Sequence, residues 1–159
     1  MPMFDMDACE LLDADHLAVK HLFVEYARLA TSLPQESADE RQQIAMRICE
    51  ELTVHAQIEE EIFYPALRDA VPEAGDLLDE AQEEHQQAKD LIARIQASGS
   101  AGPGMDDLVA ELARAIEHHV KEERDELFPK ARAGMGGQLG PLAEQLRERQ
   151  QALMGAAPA

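Results

Sequence analysis

An all-α protein, an up-down-up-down four-helix bundle with a short extra helix at the C-terminal end, is the fold this sequence predicts. Three observations carry that expectation. Aromatic residues make up only 4% of the 159 and Trp is absent, while the good helix formers Ala, Leu, Glu, Gln and Arg dominate. Apolar residues recur at three- and four-residue steps through four long segments, the period of a helix with one buried face. Short breaks rich in Pro and Gly separate those segments, and connections that short make successive helices antiparallel neighbours.

The first helix is expected to start near Asp7 and run to about Thr31, with Leu12, His16, Val19, Phe23, Tyr26 and Ala30 on its buried face. Pro34 ends that segment, and Ser37 with Glu40 has the spacing of a capping box for the second helix. The second stripe reads Ile44, Ile48, Leu52, His55, Glu59 and Ile62, until Pro65 terminates or kinks the helix. A third helix opens near Pro72 and carries Leu78, Ala81, His85, Ala88, Ile92 and Ile95, before "SGSAGPG" at 98–104 breaks the chain. The fourth carries Leu108, Leu112, Ala115, His119 and Glu123, and Pro129 closes it. Residues 1–132 are thus expected to form the bundle domain. Residues 133–159 are expected to add a flexible Gly-rich joint and a short C-terminal helix, packed on the outside or serving as a homodimer contact.

Charge narrows the range of partners. With 14 Lys and Arg against 32 Asp and Glu, the formal net charge of −18 repels phosphate backbones and anionic lipid surfaces, so neither nucleic acid nor membrane is an expected partner. "MPMFDMDACE" carries acids where a signal peptide needs a basic stretch and an apolar run, and no segment is long and apolar enough to span a membrane. A cytoplasmic location is expected. Cys9 and Cys49 lack a CxxC spacing and are expected to be reduced and buried.

The two halves of the bundle resemble each other. "HAQIEEEIFYPAL" from residue 55 and "HVKEERDELFPKA" from residue 119 both place a Glu four residues after a His, followed by an aromatic-Pro pair. "DHLAVKHL" at 15–22 likewise matches "EHQQAKDL" at 84–91. Each half therefore offers one His from its first helix and a His/Glu pair from its second, around a pseudo-two-fold axis along the bundle.

Helical geometry turns that repeat into a site. Positions i and i+4 lie within about 40° of each other and roughly 6 Å apart along the axis, so His55 with Glu59, and His119 with Glu123, can each converge on one point. Counted from the interhelical turns at about 1.5 Å per residue, His16, His55, His85 and His119 all fall at nearly one level of the bundle. A single His on an apolar stripe is more often a hydrogen-bonded core residue than a ligand, and "EEE" at 59–61 alone would be a solvated face. Four His at one level with two Glu on buried faces outweigh both readings. Buried carboxylates need compensation, and a pair of metal cations supplies it. Imidazole with carboxylate suits iron or manganese, with iron preferred, whereas structural zinc would want Cys.

The order of ligands is informative as well. Ferritin-like bundles use Glu-x-x-His, and no Glu stands three residues before any His here. The set His16, "HAQIE" at 55–59, His85, "HVKEE" at 119–123 and the endings "YPAL" and "LFP" instead resembles the haemerythrin-like, HHE cation-binding family over roughly residues 7–132. That resemblance implies two iron ions, one on His16 and His55 and the other on His85 and His119, with Glu59 and Glu123 bridging them and an oxo or hydroxo group completing the bridge.

Oxygen-carrying members of that family have His-x-x-x-His on the third helix and an Asp on the fourth. This chain has Lys89 in place of the second His and Glu123 in place of the Asp. The pattern looks closer to bacterial members connected with peroxide or nitric oxide chemistry and with oxygen or iron sensing. The leading expectation is a non-haem di-iron protein that reacts with O2, H2O2 or NO, with catalase- or peroxidase-like activity; the alternative is a non-catalytic oxygen- or iron-binding module. Lys20, Lys89, His118 and Glu122 are candidates for the layer outside the ligands, and Lys89 is further expected to offer a hydrogen bond to bound oxygens.

Overall fold

The structure, a computed structural model, describes residues 6–156. Residues 1–5, on which the reading of the acidic N-terminus partly rests, and 157–159 lie outside the described residues. Seven α-helices follow in order: α1 (Ala8–Ser32), α2 (Ala38–Ile58), α3 (Tyr64–Ala70), α4 (Gly75–Ser98), α5 (Pro103–Glu122), α6 (Phe128–Met135) and α7 (Leu139–Ala156). α1 packs on α2 and α4 on α5, while α1 also meets α5 and α2 meets α4, which closes the four long helices into a bundle.

Local capping differs from the expected pattern in one place. A capping box forms at Asp7, whose side chain accepts from the Glu10 N–H over 2.8 Å while the Glu10 side chain accepts from the Asp7 N–H over 3.0 Å. The box expected from Ser37 and Glu40 does not form. Ser37 is buried, and its hydroxyl donates to the Leu33 carbonyl at 2.6 Å and accepts from Arg41 Nε at 2.9 Å. It thus closes the end of α1 rather than the start of α2. Arg41, also buried, reaches on to the Pro34 carbonyl and to Asp106 of α5.

Pro65, expected to terminate or kink the second helix, and Pro129, expected to close the fourth, both leave the chain helical. Glu59–Phe63 and Glu123–Leu127 are single π-helical turns, in which the N–H groups of Tyr64 and Phe128 reach back five residues to the carbonyls of Glu59 and Glu123. Pro65 and Pro129 have no N–H to give, and their rings need room at the preceding turn; the widened turn supplies it and the helix continues as α3 or α6. Pro72 likewise opens a 3-10 turn ahead of α4, not α4 itself. The joint expected in "GMGGQLGP" at 134–141 is tighter than a flexible linker: α6 runs to Met135 and Gly136–Gln138 form one 3-10 turn before α7.

Two apolar clusters fill the interior. One gathers the start of α1, the end of α2, α3, α6 and α7, with Phe63, Tyr64, Phe128 and Leu146 fully buried. The other gathers Val19, Ile48, Ile95 and Leu112 towards the opposite end. Cys9 lies in the first and Cys49 in the second, so they form no disulfide; burial pushes the Cys9 thiol up to about 12. α7 turns Leu139, Leu142, Ala143 and Leu146 into the chain's own core against α1 and α2. Among the described residues no helix is long and apolar enough to cross a membrane.

Candidate metal centre

Between the two apolar clusters lies a layer of buried polar groups. His16, His55, His85 and His119 are buried, and Glu59 and Glu123 are 0% exposed, a position that no unpaired carboxylate holds cheaply. α1, α2, α4 and α5 each deliver one imidazole at the same level, and the residue opening each π turn delivers a carboxylate.

The ligand atoms form two groups that share Glu59: His16, His55, Glu59 and Glu123 in one, Glu59, His85 and His119 in the other, each with its atoms within 4.8 Å of one another. Glu59 Oε1 lies 3.4 Å from His55 Nε2 and 3.1 Å from His85 Nε2. Glu123 spans the groups in the same way, with Oε1 3.0 Å from His16 Nε2 and Oε2 3.6 Å from His119 Nε2. Each carboxylate therefore faces imidazoles from both halves of the repeat.

Four buried atoms in this layer have no hydrogen-bond partner: Nε2 of His16, Nε2 of His55, Oε2 of Glu59 and Oε1 of Glu123. His16 Nε2 and Glu123 Oε1 are close, but not aligned as donor and acceptor. All four belong to the first group. Orphaned buried donors of this kind are what a cation at their focus would satisfy.

Behind every imidazole stands a carboxylate. The Nδ1 atoms of His16, His55, His85 and His119 face Asp13 at 3.1 Å, Asp15 at 3.0 Å, Glu60 at 2.8 Å and Glu84 at 2.7 Å. Such a partner holds the proton on Nδ1, leaves Nε2 free to ligate and raises its basicity. Without a metal, nearby carboxylates hold protons on the rings of His55, His85 and His119. Burial opposes charge on His119, but the nearby carboxylates, Glu123 foremost, outweigh it and raise its pKa to about 10. On Glu59 burial favours the neutral acid, and the facing His55 charge with further hydrogen bonds holds it well below the usual carboxylate range.

Comparison with known proteins places the chain in a family. Residues 7–131 match the model of the "Hemerythrin HHE cation binding domain". The chain belongs to the haemerythrin HHE cation-binding family. A protein named DNA nickase from a Nostoc species is 32% identical over 136 residues, covering 84% of this chain but only 36% of the nickase. Rv2633c of Mycobacterium tuberculosis, an uncharacterised protein, is 27% identical over 124 residues, or 78% of this chain and 71% of that protein. The crystal structure of a Mycobacterium kansasii homologue of Rv2633c, an HHE cation-binding domain-containing protein, superposes with a TM-score of 0.76 at 24% identity, covering 95% of this chain and 89% of that one. It shares the fold.

Within this HHE bundle the candidates for the outer layer occupy different places. Lys89 Nζ pairs with Glu60 at 3.0 Å, so its ammonium backs the carboxylate that holds His85, while its side chain also lines the small chamber beside the imidazoles. His118 is exposed and lies 2.6 Å from Glu122 and 3.4 Å from Glu84, the carboxylate that holds His119. Lys20 touches none of these groups and lines an outer cleft of about 460 Å³ that reaches His16 between α1 and α5.

Sequence reasoning missed Tyr64. Its buried hydroxyl donates to Glu123 Oε2 over 2.7 Å and lies 3.3 Å from Glu59 Oε1, and 3.4 and 3.3 Å from Nε2 of His85 and His119. It is a seventh oxygen or nitrogen donor within reach of the second group. The available signal was the Tyr-Pro of the first phrase against the Phe-Pro of the second. Tyr64 stacks on His85 with ring centroids 5.4 Å apart, while Phe128, its counterpart, lies over His16 at 6.2 Å and brings no polar atom.

A small chamber lies on the other side of the imidazoles. It has a volume of about 30 Å³, touches all four His, and is otherwise walled mainly by apolar residues, among them Leu52, Ile92, Ile116 and Val120. Ile116 and Val120 also line the outer cleft, so the two spaces are separated by these side chains and His16.

Proposed function

We propose that the two ligand groups hold a pair of iron ions and that the protein decomposes hydrogen peroxide, with nitric oxide as the other small molecule its chemistry suits. The observation that carries this reading is the coincidence of four orphaned buried donors with two carboxylates that each face imidazoles from both halves of the repeat. His16 and His55 would hold one ion, His85 and His119 the other, with Glu59 and Glu123 shared and Tyr64 within reach of the second. Bound there, an iron pair would supply two-electron redox chemistry, by which one peroxide is reduced to two waters and a second is oxidised to dioxygen.

The chain's own residues supply the surroundings. Asp13, Asp15, Glu60 and Glu84 fix the imidazole tautomers, so Nε2 rather than Nδ1 faces inward. The Tyr64 hydroxyl holds a proton 2.7 Å from Glu123 Oε2. Burial, reinforced by Glu123 and Glu59, keeps that proton in place well above the usual phenol range while no metal is bound. Leu52, Ile92, Ile116 and Val120 make the chamber dry and limit it to a molecule of a few atoms, as about 10–15 Å³ of such volume accommodates one water.

The activity in the Nostoc protein's name belongs to a protein of which the match spans 36%, and the charge of −18 opposes phosphate contacts. We place the chain's work in the cytoplasm, on small molecules. The test is iron content with an optical spectrum, followed by peroxide consumption and oxygen release from iron-loaded protein. Oxygen released at half the peroxide consumed supports the reading. A reversible oxygen adduct with peroxide loss no faster than free iron gives would make the protein a binding or sensing module instead.

A further inference from the structure

The C-terminal helix lies outside the stretch matched to the family, yet its polar contacts lead to the metal centre. Gln150 Nε2 donates to both oxygens of Asp15, at 3.1 and 2.9 Å, and Asp15 Oδ2 in turn faces Nδ1 of His55 at 3.0 Å. One residue earlier, Arg149 Nε and Nη2 donate to both oxygens of Glu61, at 2.8 and 3.3 Å, inside the π turn that Glu59 opens. α7 therefore grips two acids, one holding a ligand and one just beyond a ligand.

The second half of the bundle has no counterpart. Glu84, which stands in the repeat where Asp15 stands, holds His119, but its outer oxygen faces the exposed His118 within the bundle itself. Asp15 is partly exposed, with 23% of its side chain open. A carboxylate so placed, without a second anchor, is free to rotate away from its histidine. The Gln150 amide removes that freedom by occupying both oxygens.

We propose that Gln150 is a positioning residue of the metal centre: by clamping Asp15 it fixes the tautomer and ring of His55, so that α7 docking and metal binding by the His16, His55, Glu59 and Glu123 group favour each other. The proposal rests on the reading that these groups hold metal. Linkage makes the coupling reciprocal, since whatever metal gains from a docked α7, the docked α7 gains from metal. α7 itself stays folded without Gln150, because Leu142, Ala143 and Leu146 anchor it in the core.

The experiment is a cobalt(II) titration of the full chain, read by absorption, combined with NMR of the imidazole N–H protons in the metal-free protein. Gln150→Leu removes the donor, Gln150→Lys keeps one, and Gln145→Leu changes an exposed position of the same helix. Gln150→Leu should weaken one of the two binding steps about tenfold, as loss of an outer partner does. It should also shift the His55 Nδ1–H resonance and leave those of His85 and His119 in place. Gln150→Lys should restore both readouts, and Gln145→Leu should match the wild type. Unchanged binding with an unmoved His55 resonance overturns the proposal. So does an equal loss in both steps with all four imidazoles shifted, which is what a purely structural role predicts. A wild-type chain that takes up no cobalt overturns the metal reading beneath it, an outcome distinct from the other two because it precedes any substitution.

Discussion

The Tyr64 hydroxyl donates to Glu123 Oε2 over 2.7 Å, joining the aromatic of one half of the repeat to the buried carboxylate of the other. Its counterpart Phe128 makes no such bond, so the two ligand groups are chemically unequal. Tyr64→Phe removes the hydroxyl and leaves a buried carboxylate oxygen with one partner fewer. We expect the metal-free protein to lose about 1–3 kcal/mol, the cost of an unsatisfied buried group, and its melting temperature to fall. Phe128→Tyr, in contrast, should not raise stability. Calorimetry on both variants decides it, and an unchanged melting temperature for Tyr64→Phe would show that the bond contributes nothing.

Ligand substitutions should separate the buried set from its surface neighbour. His55→Ala and Glu59→Ala should lower bound metal, with Glu59→Ala affecting both ions because its carboxylate is shared by both groups. His118→Ala should retain the buried metal, since His118 is 66% exposed and sits with Glu80, Glu84 and Glu122 outside the two buried groups. Elemental analysis after loading and desalting gives the ratio. Equal depletion in all three would contradict the assignment of His119 and Glu123 as the inward pair.

Metal uptake should strengthen with pH. His119 titrates at about 10 in the metal-free fold against 6.5 as a free side chain, so at neutral pH a cation has to displace its proton. The same shift sets a stability window. With the folded value raised, the stabilisation from this group is fully present below about 6.5 and is lost as pH rises through about 10. Glu59 runs the other way: its folded value is depressed, so its contribution is present above 4.5 and fades as pH falls through the lowered value. Melting curves of metal-free protein between pH 6 and 10 should therefore decline with pH where His119 dominates, and the loaded protein should decline less. A rise across that range would contradict the ion pairing.

Removing metal should lower the melting temperature. A cation bound only by the folded chain adds about 2.7 kcal/mol when free metal is a hundred times its Kd. Identical curves for stripped and reloaded samples would mean that the buried donors bind nothing.

Much of the inner layer was legible because a helix repeats its faces: His16, His55, Glu59, His85, His119 and Glu123 fall on apolar stripes at one level, and the structure brings these six together. Tyr64 was not legible for a definite reason. At α-helical spacing it lies about 140° round from Glu59, on another face. The π turn at Glu59–Phe63 rewinds the chain so that both face inward, and a proline read as a stop or a kink gave no hint of that turn. Asp15 and Glu84 were overlooked because an acid beside a His on an acidic chain reads as solvated surface. Yet each precedes the His of its own helix and holds the His of the next, a crossing that only the packed pair of helices reveals. The Ser37 capping box failed for a different reason: the Leu33 carbonyl and Arg41, itself anchored across the bundle on Asp106, take the Ser37 hydroxyl.

The chamber of about 30 Å³ over the four imidazoles has a consequence for electron supply. Ascorbate and nicotinamides are too large to enter it. A reaction fed by that space alone has to draw oxidant and reductant from the same pool of tiny molecules. Disproportionation meets that demand without a second substrate or a redox partner docked at the surface.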